Sequence, residues 1–155
     1  MRVGELMTHN PKTCKMDDTI QSVARVMAEG NFGFMPVVDN EGRLIGTVTD
    51  RDIVVRATAA GMDQMTPVRE VFSDMPVHVS ENDPLSKAEE LMMDAHIRRL
   101  VVIDDGKRPI GVVSASDIAR HETDAGRLRD LFCTVLEPIP YERTVGELVG
   151  SESCG

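Results

Sequence analysis

Gly46-Thr47-Val48-Thr49-Asp50-Arg51-Asp52 is written a second time as Gly111-Val112-Val113-Ser114-Ala115-Ser116-Asp117, at an offset of 65 positions. Each copy reads as a strand leaving a glycine, then a hydroxyl residue that opens a helix, with a carboxylate three positions on. The same offset, without a gap, lays Val3 on Val68, Pro11 on Pro76, Asp18 on Asp83, Met27 on Met92 and Asp39 on Asp104. It also lays Arg43 on Arg108, Ile45 on Ile110 and Ile53 on Ile118. A register kept from Val3 to about Arg120 is a tandem duplication, so the chain divides into repeat 1 (1–61), repeat 2 (62–122) and a tail (123–155).

Outward from the motif, repeat 1 reads as strand–helix–strand–strand–helix. Val3 to Met7 makes a helical turn broken at Asn10-Pro11, and Lys12 to Lys15 reads as a short strand. Asp17 or Asp18 is placed to cap a helix from Thr19 to Glu29, whose Ile20, Val23, Ala24 and Met27 make an apolar stripe of helical period. Gly30 is placed to stop it in the left-handed conformation. Phe34-Met35-Pro36-Val37-Val38 is apolar throughout and too short for a helix, so it reads as a buried strand. A turn at Asn40-Glu41-Gly42 returns the chain through Arg43–Val48, and a second helix runs to Ala60, before Gly61. Repeat 2 follows the same plan. Its first strand is Val77–Val79, a helix starts at Asp83-Pro84 with proline in the first helical position, strands follow at Leu100–Ile103 and Pro109–Val113, and a last helix begins at Ser116. A unit of this size buries little alone, so the two are expected to face each other across their sheets and share one core.

In the tail, Leu128, Leu131, Phe132, Val135 and Leu136 stand at helical spacing, which predicts an amphipathic helix ended by Pro138 and Pro140. Val145-Gly146-Glu147-Leu148 repeats the letters of Val3–Leu6, a match that chance explains better than a third repeat, and the last five residues read as frayed.

Composition narrows the function. The 155 residues carry a net charge of −9, no Trp and one Tyr. An acidic surface repels phosphate backbones and anionic lipid, which argues against nucleic acid or membrane as the main partner. The core must come from aliphatic side chains and the ten Met. Cys14, Cys133 and Cys154 are odd in number and scattered, and His9, His78, His96 and His121 have no partner at ligand spacing, so neither a disulfide framework nor a metal site is expected. With no apolar targeting segment and no run of about 20 apolar residues, a soluble cytoplasmic protein is expected.

Two units of this plan, each with a G-x-x-[ST]-x-x-D element, resemble the cystathionine β-synthase (CBS) domain pair, or Bateman module, over about Val3 to His121. Phe34–Asp39, Gly46–Val54 and Arg98–Asp104 carry the likeness. The resemblance implies an α/β (α+β) fold, with two β-α-β-β-α repeats packed sheet to sheet about a pseudo-two-fold axis and followed here by the C-terminal helix. It implies clefts for an adenosine-containing ligand (AMP, ADP, ATP, NAD or S-adenosylmethionine), a disc-like homodimer, and regulation of an attached or associated protein. By the same likeness Asp52 and Asp117 would hold ribose hydroxyls, Thr49 and Ser114 ribose or phosphate, and Arg98 and Arg99 phosphate. In repeat 2 the strand proline of Pro36 is replaced by Val101.

The residues themselves bear two readings. Thr49-x-x-Asp52 and Ser114-x-x-Asp117 spell a helix capping box. A carboxylate also accepts from vicinal hydroxyls, and a helix start offers free N–H groups to phosphate. The upstream glycine and the repeated surroundings favour the ligand reading. Gly46 and Gly111 either admit ligand to the backbone or relieve packing between strand and helix. Arg51, Arg98 and Arg99 are the candidate cations, while Gly33 and Phe34 stand where repeat 2 has Arg98 and Arg99, so the two sites should differ in charge. Phe34, Met35, Pro36 and Val37 in one half, and Val101 and Val102 in the other, are candidates for the adenine face. No nucleophile–base–acid set, obligatory cofactor or metal site is visible, so no enzyme is read here. The expected function is an adenosine-sensing regulatory module. The alternative is a dimerising interaction scaffold with vestigial sites, and a small Asp/His enzyme is the weakest of the three readings.

Overall fold

Each repeat sends its opening segment into the sheet of the other. The structure, a computed structural model, describes residues 1–137. The first half contains β1 (Thr8–His9), β2 (Cys14–Lys15), α1 (Ile20–Gly30), β3 (Phe34–Val38), β4 (Leu44–Thr49) and α2 (Asp50–Asp52), which runs on into a π-helical turn at Ile53–Thr58. The second half contains β5 (Ser73–Asp74), β6 (His78–Ser80), α3 (Leu85–Ala95), β7 (Arg99–Ile103), β8 (Pro109–Ser114) and α4 (Ala115–Ala119), and the tail adds α5 (Ala125–Leu136).

Two four-stranded sheets result, ordered β2-β3-β4-β5 and β1-β8-β7-β6. In each, an antiparallel hairpin takes a parallel strand on one side and a strand from the other half on the other. Ser73 pairs with Thr47 in one sheet, and Thr8 with Val112 in the other. These pairs are related by the offset of 65, as are the bonds Val3 N–H to Asp83 O (3.0 Å) and Val68 N–H to Asp18 O (2.8 Å). The exchange is therefore reciprocal, and the pseudo-two-fold relation expected from the sequence extends to single hydrogen bonds. Three strands per repeat were predicted; the fourth in each sheet comes from the other half.

Burial departs from the expected single core. One cluster gathers Ile20, Val23 and Met27 of α1 with Met35, Val37 and Val48, and draws in Val68 and Val71 from across the join. The other gathers Ala88, Met92, Leu100, Val102, Val113 and Ile118, and draws in Val3 and Met7. Exchange of the opening segments completes each core, which ties the halves together without merging their interiors. Pro36, Val38 and Val101 alternate onto the opposite sheet faces and are buried too. Burial on both faces is why these strands read as unbroken apolar runs. Across the seam Leu44 N–H donates to Lys107 O (2.8 Å), and Arg108 Nε to Glu41 O (3.2 Å).

Helix ends shift by a residue or so. Thr49 and Ser114 apart, the caps differ from those expected: Thr19, not Asp17 or Asp18, caps α1 by accepting from Ser22 N–H (3.1 Å). Asp18 instead accepts from Lys15 N–H, as Asp83 does from Ser80 N–H, both at 2.8 Å. The left-handed residue after α1 is Asn31 (φ 52°), not Gly30, and Pro84 sits at the N-cap of α3 rather than inside it. Gly61 does take positive φ, at 73°. The tail helix forms as predicted. Asp124 caps it, Leu131 and Val135 enter the second core, and Arg127 Nη2 meets the buried Glu89 Oε2 at 2.6 Å. Pro138, Pro140, the Val145–Leu148 match, Cys154 and the final residues lie outside the described residues.

Candidate functional site

The capping box is real in both copies. Thr49 Oγ1 accepts from Asp52 N–H (3.0 Å) and Thr49 N–H donates to Asp52 Oδ2 (2.9 Å). In repeat 2, Ser114 Oγ accepts from Asp117 N–H (3.1 Å), while Ser114 N–H (2.9 Å) and its hydroxyl (2.7 Å) donate to Asp117 Oδ2. The second carboxylate oxygens differ. Asp52 Oδ1 lies 3.7 Å from Arg56 Nε, whereas Asp117 Oδ1 accepts from Arg120 Nη1 at 3.1 Å. A carboxylate has about four acceptor positions, so a cap leaves capacity for a ligand.

The helix start does not offer the free N–H groups expected of it. Asp50 N–H donates to Gly33 O, Arg51 N–H to Asp50 Oδ1 and Asp52 N–H to Thr49 Oγ1. Any phosphate must therefore find side-chain cations. The two motif glycines are also explained differently from either expectation. A Cβ on Gly46 would lie 2.6 Å from Ser73 O and closer still to the Phe72 ring, and one on Gly111 would meet Met7 Cγ at 2.9 Å. The missing side chains make room for the exchanged segments.

Beside Asp52 opens a cavity of about 1450 Å³. Its walls are Gly33-Phe34, the β4–α2 corner with Thr47, Thr49, Asp50, Arg51 and Asp52, and Val55-Arg56. Ala59, Ala60 and Glu70, the crossing segment Ser73–Val77, the stretch Ala95–Arg99 and the end of α5, Val135–Glu137, complete it. Thr49, Arg51, Asp52, Arg98 and Arg99 are thus brought together although up to 50 positions separate them. Gly33 and Phe34, read as the counterparts of Arg98 and Arg99 in a second site, line this same cavity. Ser114 and Asp117 do not line it. Met35 and Val37 point into the first core, and of the adenine-face candidates only Phe34 reaches the cavity, whose apolar lining also includes Val55, Met75, Val77, Ile97, Val135 and Leu136.

Electrostatically the cavity is mixed. Arg56 lies against Asp52 and donates to the carbonyls of Val71 (3.3 Å) and Phe72 (3.4 Å). Arg98 and Arg99 are exposed and make no ion pair with any described residue. His96 holds α3 to α5 through Nδ1 and Thr134 O (3.1 Å). Sequence reasoning missed Arg56, whose i+4 spacing from Asp52 was a usable signal. It also missed Ser73–Val77, His96 and Val135–Glu137, for which no local signal exists. Among the described residues no three His, Cys, Asp or Glu gather as metal ligands, and no helix is long and apolar enough to cross a membrane. Burial, with nearby Asp18 adding to it, pushes the Cys14 thiol up to about 12, so it is inert.

Known proteins share this arrangement. The CBS domain model matches residues 3–57 and 68–124. The CBS domain-containing protein YhcV of Bacillus subtilis is 41% identical over 117 residues, 76% of this chain and 82% of that protein. The structure of Hypoxic Response Protein I with two coordinated zinc ions superposes with a TM-score of 0.72 at 30% identity, covering 79% of this chain and 99% of that one. The CBS domain pair of protein MJ0100, in complex with 5′-methylthioadenosine and S-adenosyl-L-methionine, gives 0.71 at 26% identity, over 77% and 98% of the two chains. Two family matches in tandem, on a fold whose halves interlock through the same offset, make this chain a member of the CBS domain family.

Proposed function

We propose that this chain is a regulatory module that binds an adenosine-containing ligand in the cavity beside Asp52 and signals its occupancy to a partner protein. One observation carries the reading. A nearly buried carboxylate (Asp52, 6% exposed), two threonine hydroxyls and two arginines without a described ion-pair partner line one cavity. The roles follow from chemistry. Asp52, beside the Arg56 guanidinium, accepts from the ribose diol as a carboxylate with about four acceptor positions. Thr49 Oγ1 accepts from Asp52 N–H and can turn its own O–H to a ribose or phosphate oxygen. Arg98 and Arg99 supply positive charge in a chain whose net charge is −9. The MJ0100 pair, bound to two adenosine-containing molecules, supports this choice of ligand class. The zinc of Hypoxic Response Protein I finds no comparable set of ligands among the described residues here.

Binding without catalysis fits a site with carboxylate and guanidinium groups but no activated nucleophile. Ligand shifts the angle between halves, or between the subunits of a cytoplasmic homodimer, only by its differential affinity for the two arrangements. The test is a melting panel with AMP, ADP, ATP, NAD and S-adenosylmethionine. A ligand at 100 times its Kd adds about 2.7 kcal/mol, which raises Tm by roughly 5–11 °C at this chain length. Flat curves across the panel overturn the reading.

A further inference from the structure

Of the large hydrophobic side chains that the fold leaves exposed, two line the cavity beside Asp52: Met75, 87% exposed, and Leu136, 55% exposed. They come from separate elements. Met75 lies in the segment crossing from β5 to β6, and Leu136 ends α5. Neither belongs to a core cluster. A single exposed apolar side chain is ordinary, but two on one cavity are apolar surface that the described residues leave uncovered.

Met75 carries a second sign. Its φ of 49° lies in the left-handed region, where an unbranched side chain with a full Cβ is disfavoured. Its counterpart across the offset, Asn10, has φ 53°. Asparagine is among the few residues that tolerate this conformation. Both precede a proline, which disfavours the right-handed helical alternative. The chain path thus fixes the backbone in both halves, while the residue is free to be Asn or Gly. Met75 occupies the position against a local cost and without packing in return. Strain kept at the lining of a site points to a role in that site. Methionine has the right chemistry, with three rotatable bonds and a polarizable sulfur that packs well on aromatic rings.

We propose that Met75 and Leu136 cover the base of the bound ligand, an apolar clasp that makes an aromatic base, and not the ribose phosphate alone, a condition for tight binding. The inference rests on the adenosine reading of the cavity. It is tested by calorimetric titration of the full chain with AMP, ADP, ATP, NAD and S-adenosylmethionine, all of which carry adenine, and with ribose 5-phosphate, which does not. Met75→Asn weakens every adenine ligand that wild type binds by about tenfold, Leu136→Ser weakens them severalfold, and Met75→Leu stays within about twofold of wild type. Ribose 5-phosphate binds all four proteins alike. Unliganded Met75→Asn melts about 2–4 °C higher than wild type because the strain is gone, which shows that its weaker binding does not come from a damaged fold. Wild-type affinity for adenine ligands in both Met75→Asn and Leu136→Ser overturns the clasp and leaves the adenosine reading standing. So does an equal loss for ribose 5-phosphate. Failure of wild type to bind any of the five adenine ligands overturns both.

Discussion

Gly46→Ala and Gly111→Ala place the same methyl group at positions related by the repeat, yet the structure assigns them different costs. At Gly46 the new carbon lands 2.6 Å from Ser73 O and against the Phe72 ring; at Gly111 it lands against Met7 Sδ, with Cγ at 2.9 Å and Cβ at 3.2 Å. Ser73 O is backbone of β5, held by the pairings Thr47–Ser73 and Gly46–Asp74, so it cannot retreat without opening the exchanged strand. The thioether of Met7 can rotate away. Overpacking costs about 1–3 kcal/mol, and each disturbed ladder bond adds about 0.5–1.5 kcal/mol. Replacing glycine in a strand returns about 0.5–1 kcal/mol. The expected net is about 2–3 kcal/mol lost for Gly46→Ala and about 1 kcal/mol or less for Gly111→Ala. Urea unfolding followed by far-UV circular dichroism reads both as shifts in midpoint at constant slope. Equal costs in the two variants, or a Gly46→Ala protein within about 0.5 kcal/mol of wild type, would refute the placement of the crossing segment against Gly46.

Two further outcomes follow from the same packing. Leu131, 2% exposed in the second core, makes the tail helix part of the fold, so Leu131→Ala should cost about 2–5 kcal/mol in the same unfolding assay; a loss near zero would detach α5 from the core. The Ser80 N–H bond, helped by Lys87, holds the Asp83 carboxyl below the usual carboxylate range. Its stabilising effect is complete above the unfolded value of about 3.9 and fades as pH falls toward the lower folded value. Asp83→Asn should therefore be less stable than wild type at pH 7, with the gap closing below about pH 4; a pH-independent gap would contradict the assignment.

Much of this was legible because the offset converts weak local signals into paired ones. Phe34–Val38 and Leu100–Ile103 are strands on apolarity alone, and the 49–52 and 114–117 corners form as the repeat requires. The exchange was not legible, since Thr8-His9 and Ser73-Asp74 are two residues long and carry no periodicity. The separate cores followed from that exchange. A helix cap is decided by which oxygen reaches a free N–H, so Thr19 could displace Asp17 and Asp18. The site was half legible: Thr49, Arg51, Asp52, Arg98 and Arg99 do meet, but their meeting depends on how the halves interlock, which no local pattern encodes. Asp117 resembles Asp52 in its letters and in its cap, and differs in which arginine faces its outer oxygen, Arg120 at 3.1 Å where Asp52 has Arg56 at 3.7 Å.

Calorimetric titration of Asp52→Asn beside wild type, with whichever panel ligand raises the melting temperature most, asks the question most directly. Asparagine keeps an oxygen for Thr49 N–H, so the corner and its stability should survive, while the charged acceptor for a sugar diol is gone. Hydrogen bonds to a charged group are worth about 1.5–3 kcal/mol, so affinity should fall by at least about tenfold in a protein that melts near wild type. Undiminished affinity in Asp52→Asn would place the ligand elsewhere and contradict the account.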